Sequence, residues 1–361
     1  MSNNFDYDLT TAQKALNSII KKSRVHFYKP IQIAEILFQH RIKEKINLAQ
    51  VEDYRNASKK WRNKITRRFL GRICTSSARF QDNLFEANAM PPKVLAILGD
   101  FNKQESGIVE AHIYKSFYDK YFQLNNALNY CINSVASSFQ LNELISLFWK
   151  QPGLRRSIDK IIEIIVYSLF ETIVTNANIR VEIIANDPER ILDEFSAFAN
   201  KVIGLNNKER LSFNAHFHRV GVTNAADRGL DIFANFGAVV QVKHINLSEE
   251  VAEEITQTIT ANKIVIVCKN AEAKIITSLL TQIGWRSRIQ SIITIEELCD
   301  WYSMALTGKH CHILGTPLLE NLREQIQLEF PSVGNTEFEQ FIQSRGYDRI
   351  KHNNWKSFYI N

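Results

Sequence analysis

The chain has 361 residues, 45% of them hydrophobic, and a formal net charge of +6. That suits two ordinary domains or one core domain with a large added module, and it excludes a chain too polar to bury a core. Five scattered cysteines, odd in number and without a CxxC spacing, argue against a disulfide framework and a zinc ribbon and read as reduced thiols.

The positive charge is concentrated near the start. Residues 21–72 hold 15 Lys/Arg against four Asp/Glu, and the rest of the chain holds 29 against 34. A basic module on a mildly acidic remainder is the pattern of a protein that docks on phosphates with one part. In this region LTTAQKALNSIIKKSR has apolar positions at helical spacing after a threonine cap, and DYRNASKKWRNKITRRFLGRI predicts a helix ending near Gly71. On the second helix Trp61, Ile65, Phe69 and Ile73 recur every four residues as the buried stripe. Lys60, Arg62, Lys64, Arg67, Arg68 and Arg72 are left mainly on the other faces.

Breaks fall at Pro91-Pro92 and in KQPGLRR at 150–156. The second divides the chain into a mostly helical, basic module at 1–150 and an α/β domain at 151–361. LRRSIDKIIEIIVYSLFETIVT is one long helix; its apolar centre is interrupted by Glu163 and Glu171 and is too short to span a bilayer. With no signal-like apolar region at either end, the expectation is a soluble, intracellular protein.

NIRVEIIA then reads as a strand, and DPERILDEFSAFANKVIGL as a helix with Asp187 capping and Pro188 in its first turn. LDIFA and GAVVQVK, separated by Asn235-Phe236-Gly237, predict a β-hairpin. SEEVAEEITQTIT follows as a helix, KIVIVCK as a strand, and AEAKIITSLLTQIGW and IEELCDWYSMAL as further α/β elements. No repeat or low-complexity segment is present.

The hairpin carries the chemistry. Strand side chains alternate, so Gln241 and Lys243 share one face while Val240 and Val242 share the other. Asp231, at the start of the first strand, comes opposite the end of the second, so the three polar tips converge. A carboxylate can hold a divalent cation against a phosphate, and a lysine beside it can orient water and offset transition-state charge. Each residue also has a plainer reading: a strand-start acid, a solvated amide, and an edge-strand lysine.

D231-IFANFGAVV-Q241-V-K243 resembles the PD-(D/E)XK nuclease core, a mixed central sheet flanked by helices, with Gln where Glu or Asp is usual. The Mrr type of methyl-directed nuclease shares that departure, with a Gly just before the Asp. A neutral amide is a weaker metal ligand than a carboxylate, which argues against a simple two-metal scheme. The resemblance points to Glu171 on the preceding apolar helix as an extra acid, with Glu182 a second and weaker candidate. His216 and His218 in HFHRV would share a strand face in a DNA-facing or structural role, His244 would point away from Lys243 as a structural residue, and KHCH at 309–312 lacks a second ligand cluster.

Four runs are similar to the HaeII family of type II restriction endonucleases: KKSRVHFYKPIQIAEILF, SKKWRNKITRRFLGRICTSSARFQDNLFE, AMPPKVLAILG and RGLDIFANFGAVVQVKHINLS. That resemblance implies a cytoplasmic prokaryotic enzyme making Mg²⁺-dependent double-strand cuts at a short GC-rich palindrome of the RGCGCY type. It also implies a methyltransferase guarding the host DNA and, since both strands of a palindrome are cut, a homodimer. Asp231 would bind Mg²⁺, Lys243 would act on water and Gln241 would assist. Arginine can read guanine in the major groove, which makes Arg62, Arg67, Arg68, Arg72 and Arg79 candidates for DNA contact. The alternatives are a modification-dependent nuclease and a non-catalytic DNA-binding protein with a nuclease-like core.

Overall fold

The computed structural model describes residues 8–43, 46–151, 153–205, 210–220, 230–271, 288–330, 335–350 and 355. Arg228-Gly229 before the hairpin and all of AEAKIITSLLTQIGW after its first residue, Ala271, lie outside the described residues. The first part is helical: α1 (Leu9–Lys22), α2 (Tyr28–Ile42), α3 (Arg55–Leu70), α4 (Ala78–Asp82), α5 (Pro92–Gln104), α6 (Ile108–Asn133) and α7 (Leu141–Lys150). Asp8, not a threonine, caps α1, its side chain accepting from the Thr11 N–H at 2.7 Å. Helix α3 stops where Gly71 turns left-handed at φ +65°, and Ile65 and Phe69 are buried on its inner face as the four-residue spacing predicts.

Helix α8 (Ile158–Asn176) is apolar around most of its circumference because it is covered on both sides. It lies between β3 and β5 of the sheet and a C-terminal helix, α13 (Cys311–Glu329). The sheet has five strands in the order β3 (Phe217–Arg219), β4 (Ile232–Ala234), β5 (Ala238–Leu247), β6 (Lys263–Ala271), β7 (Ile289–Thr294). Strands β3, β4 and β5 are antiparallel neighbours, whereas β5, β6 and β7 run parallel. Helix α11 (Glu249–Thr258), capped by Ser248, makes the crossover from β5 to β6, and α12 (Ile295–Thr307) follows β7. This mixed sheet with flanking helices is the α/β core expected of a restriction-endonuclease fold.

Two predicted elements are placed differently. NIRVEIIA forms β1 (Arg180–Ile184), but β1 pairs with β2 (Arg210–Asn214) in a separate two-stranded ribbon and not with the central sheet. The helix expected at 187–205 is broken into α9 (Pro188–Ile191), α10 (Ser196–Phe198) and a π turn at Ala199–Ile203. Its apolar side chains, Ile191, Phe195, Phe198 and Val202, are exposed and not laid against the core, so no packing holds one continuous helix.

A C-terminal helix, α14 (Asn335–Ser344), returns to the helical module, where Phe338 and Phe341 meet the Phe69 ring edge-to-face at 5.4 and 5.1 Å. Beside it the fully buried Glu110 accepts from both Arg41 Nε and Nη2 at 2.9 Å, from Asn102 Nδ2 at 2.6 Å and from Tyr347 Oη at 2.5 Å. Glu110→Ala strands a half-buried guanidinium and two further donors. It is expected to cost about 3 kcal/mol in urea unfolding, the scale of a broken buried ion pair; a loss under about 1 kcal/mol would show that the network is not needed.

Candidate active site

The register of the hairpin sets the site. Ile232 pairs with Val240 and Phe233 with Val239, and Gly237, at φ +98°, supplies the left-handed residue of the turn. Asp231 therefore falls beside Gln241. The Gln241 Nε2 donates to Asp231 Oδ2 at 2.6 Å and the Val242 N–H to the same oxygen at 2.8 Å. A third bond, from the Val220 N–H to the Asp231 carbonyl at 2.9 Å, ties the residue to the strand before it. Gln241 is buried, and its Oε1 has no hydrogen-bond partner.

Asp231, Gln241 and Lys243 line one cleft of about 1070 Å³ between the sheet and the helical module. Its far wall carries Lys22, Arg24, Lys29 and Arg62, and α8 contributes Asp159, Lys160 and Glu163. The turn bearing Arg24 and His26 is held by Lys120, whose Nζ donates to the carbonyls of Ile20 and Ser23 at 3.2 and 2.5 Å. Burial pushes the Asp231 carboxyl above its ordinary range, against the Val242 N–H and the positive charges of Lys160 and Lys243. Burial also pushes the Glu163 carboxyl up to about 7, with the charge of Asp231 assisting and Lys160 opposing. Glu163 is nevertheless paired, to Lys160 at 2.6 Å and to Arg219 at 3.3 Å, and Arg219 reaches the buried Glu329 at 3.0 Å.

A basic wall facing a hairpin-borne Asp, Gln and Lys is an arrangement for holding a phosphodiester. Residues 12–347 match the HaeII restriction endonuclease family. The chain belongs to that family. It is 53% identical over 339 residues to the type II restriction enzyme NgoBI of Neisseria gonorrhoeae, covering 93% of this chain and 96% of the relative. It is 49% identical over 346 residues to the type II restriction enzyme HaeII of Haemophilus aegyptius, covering 95% and 98%. No solved structure matches the chain. As a HaeII-family member it is a type II restriction endonuclease, a site-specific deoxyribonuclease acting on double-stranded DNA, and its class uses divalent metal ions. Among the described residues no helix is long and apolar enough to cross a membrane.

Within this family member the acids of α8 that reach the cleft are Asp159 and Glu163, and Glu171 does not line it. Glu171 lies a little over two turns further along the helix. Its Oε1 pairs with His216 Nδ1 at 2.8 Å and its Oε2 accepts the Phe217 N–H at 2.7 Å, so it anchors the start of β3. Glu182 lies on the exposed ribbon and pairs with Arg210 at 3.7 Å. His216 and His218 are neighbours, with ring centroids 6.4 Å apart. His244 does line the cleft and contacts Asp159, contrary to the alternation rule, because the β5–β6 register shifts just after Lys243.

The candidate arginines are dispersed. Arg62 lines the cleft but is buried and committed to Gln32, Asn63 and Gln81 at 2.7 to 3.0 Å. Arg68 pairs with Glu337 at 2.7 Å, and Arg72 donates to the Leu328 carbonyl at 2.5 Å. Arg67 and Arg79 are exposed and do not line the cleft. Lys22, Arg24 and Lys29, inside the basic stretch but not singled out by helix periodicity, take the cleft wall instead.

Among the described residues no three or more His, Cys, Asp or Glu are placed to share a metal ion, and KHCH merely opens α13. Asp231 with the unpartnered Gln241 carbonyl nonetheless fits a hard cation. Such an ion takes one or two protein oxygens and fills the rest of its shell with water and phosphate.

Between about pH 4.5 and 7 the folded protein keeps a proton on Glu163 that the unfolded chain has released, so this group's contribution to stability falls as pH rises. Urea unfolding from pH 5 to 8 is expected to show Glu163→Gln gaining roughly 2 kcal/mol on wild type across the range. Parallel pH profiles would contradict it.

Proposed function

We propose that the chain cuts both strands of DNA at a short GC-rich palindrome of the RGCGCY type, with Mg²⁺, and that Asp231, Gln241 and Lys243 form the catalytic site. The observation carrying this is the Asp231 carboxylate fixed by Gln241 and Val242 beside an orphaned amide oxygen, in one cleft with Lys243. Family membership supports the target class, the dimer and a methyltransferase as the genetic partner.

Asp231 and the Gln241 carbonyl are the oxygens that hold Mg²⁺, which when bound supplies positive charge to the phosphate under attack. Gln241 also orients Asp231, since its Nε2 occupies Oδ2. Lys243 holds the attacking water through Nζ and offsets the charge that develops on the phosphoryl oxygens. Glu163 takes the extra-acid role in place of Glu171, held by Lys160 and Arg219. Lys22, Arg24 and Lys29 bind the phosphate backbone, and with cation release on binding, affinity falls steeply with salt. Residues 1–150 serve recognition and 151–361 serve cleavage, α14 fastening the two.

Unmethylated phage DNA is the test substrate, digested with Mg²⁺ or with EDTA and followed by sequencing of the fragment ends. Discrete fragments sharing one palindrome, in the Mg²⁺ lane alone, are expected; intact DNA there, or cutting confined to methylated DNA, would contradict the restriction reading. Asp231→Asn and Lys243→Ala are expected to abolish cleavage while retaining gel-shift binding. Glu163→Gln should lower the rate about 10²-fold or more, and Glu171→Gln by less than about tenfold. Cleavage at wild-type rate by either hairpin variant would remove the site.

A further inference from the structure

Between α8 and β3 the chain leaves the core as an arm, described at residues 179–205 and 210–214 and built from the β1–β2 ribbon and the broken helix. Its surface is unusually apolar. Val202 is 67% exposed, Ile191 57% and Phe195 53%, and Ile183, Ile184 and Phe198 are exposed as well. Ile183 and Ile184 are consecutive on a strand and face opposite sides, so beyond Val181, which packs on the core, both faces of the ribbon are open. An isolated two-stranded ribbon is marginal by itself, and an apolar projection of this kind marks an interaction site.

We propose that this arm is the surface through which two copies of the chain associate. This rests on the reading of Asp231 as the centre of strand cleavage, because a chain with one such cleft needs a second copy to cut the second strand. DNA is a poor occupant for the arm: its sequence holds five Lys/Arg against six Asp/Glu, in a chain of net charge +6. A second copy suits it. The charges of both signs and the apolar side chains can be matched by the same segment across a two-fold axis. Among the described residues each ribbon strand pairs only with the other, leaving an outer edge that a symmetry mate can extend. The arm's 32 described residues are enough chain to supply the roughly 20–30 per side of a standard stable interface.

Its position serves the reaction. The root is closed by the Ala215 N–H donating to the Ile179 carbonyl at 2.9 Å and by Asn235 Nδ2 donating to the Asn214 carbonyl at 2.9 Å. Glu171 braces the next two residues, His216 and Phe217. From there β3 leads directly to Val220, whose N–H bonds Asp231. The five residue steps from Ala215 to Val220 span roughly 17 Å as extended chain, so one short strand joins the root of the arm to the Asp231 site.

The test is the mass of the full-length protein at micromolar concentration, by light scattering or sedimentation, without DNA. Wild type is expected to have the mass of two chains. Phe195→Glu with Phe198→Glu should have the mass of one, and Val135→Glu, an equally exposed apolar site outside the arm, the mass of two. Since the changed side chains are exposed, thermal melting should be unchanged. If the glutamates prevent folding, Phe195→Ser with Phe198→Ser carries the same expectation. A monomeric wild type or a dimeric arm variant overturns the proposal. Asp231→Asn is measured alongside and is expected to be dimeric but inactive; if it cuts DNA, the site assignment fails while the mass of the arm variant still decides this one.

Discussion

A carboxylate placed inside a hairpin must be satisfied by hydrogen bonds or by a cation, because desolvation of an unpaired charge costs more than the fold can carry. Asp231 receives two donors on one oxygen, from Gln241 and from the Val242 backbone. Both come from the adjacent strand, so the carboxylate is oriented by the same register that builds the sheet. A slip of one residue would send Gln241 and Lys243 to the opposite face and leave Asp231 without its partners. The proposed chemistry thus depends on the turn at Asn235-Phe236-Gly237 as much as on the three polar side chains.

Glutamine in place of a second carboxylate changes the electrostatics of this site. Its amide donates to Asp231, where a glutamate would repel it, and its carbonyl remains available without adding negative charge to a buried cleft. The further acids of the cleft, Asp159 and Glu163, come from α8, and Glu163 is held there by Lys160 and Arg219. The opposite wall supplies Lys22, Arg24 and Lys29. The cleft therefore presents cations on one side and a mixed cluster on the other, as a substrate with one charge per phosphate requires.

The hairpin was legible because alternation, a Gly-containing turn and a ten-residue Asp-to-Gln spacing act locally. The helix acids were not separable in the same way. Glu163 and Glu171 both interrupt one apolar helix, and which of them meets the cleft is decided by how α8 sits against the sheet and α13, a tertiary fact. NIRVEIIA has strand composition whether it joins the central sheet or a projecting ribbon, so local pattern identifies the strand and not its partner. Arg62 looked like a surface charge on α3 and is instead a buried hydrogen-bonding centre. The useful wall residues Arg24 and Lys29 flank a turn and the start of α2, where periodicity carries no information.

The claim on which the rest stands is that Asp231 with Gln241 holds the divalent cation. Electron paramagnetic resonance of Mn²⁺ titrated into the protein bound to a non-hydrolysable duplex measures this without requiring turnover. Wild type is expected to bind Mn²⁺ and Asp231→Asn to lose that binding while still retaining the duplex. Equal Mn²⁺ binding by the two proteins would place the metal elsewhere and contradict the account.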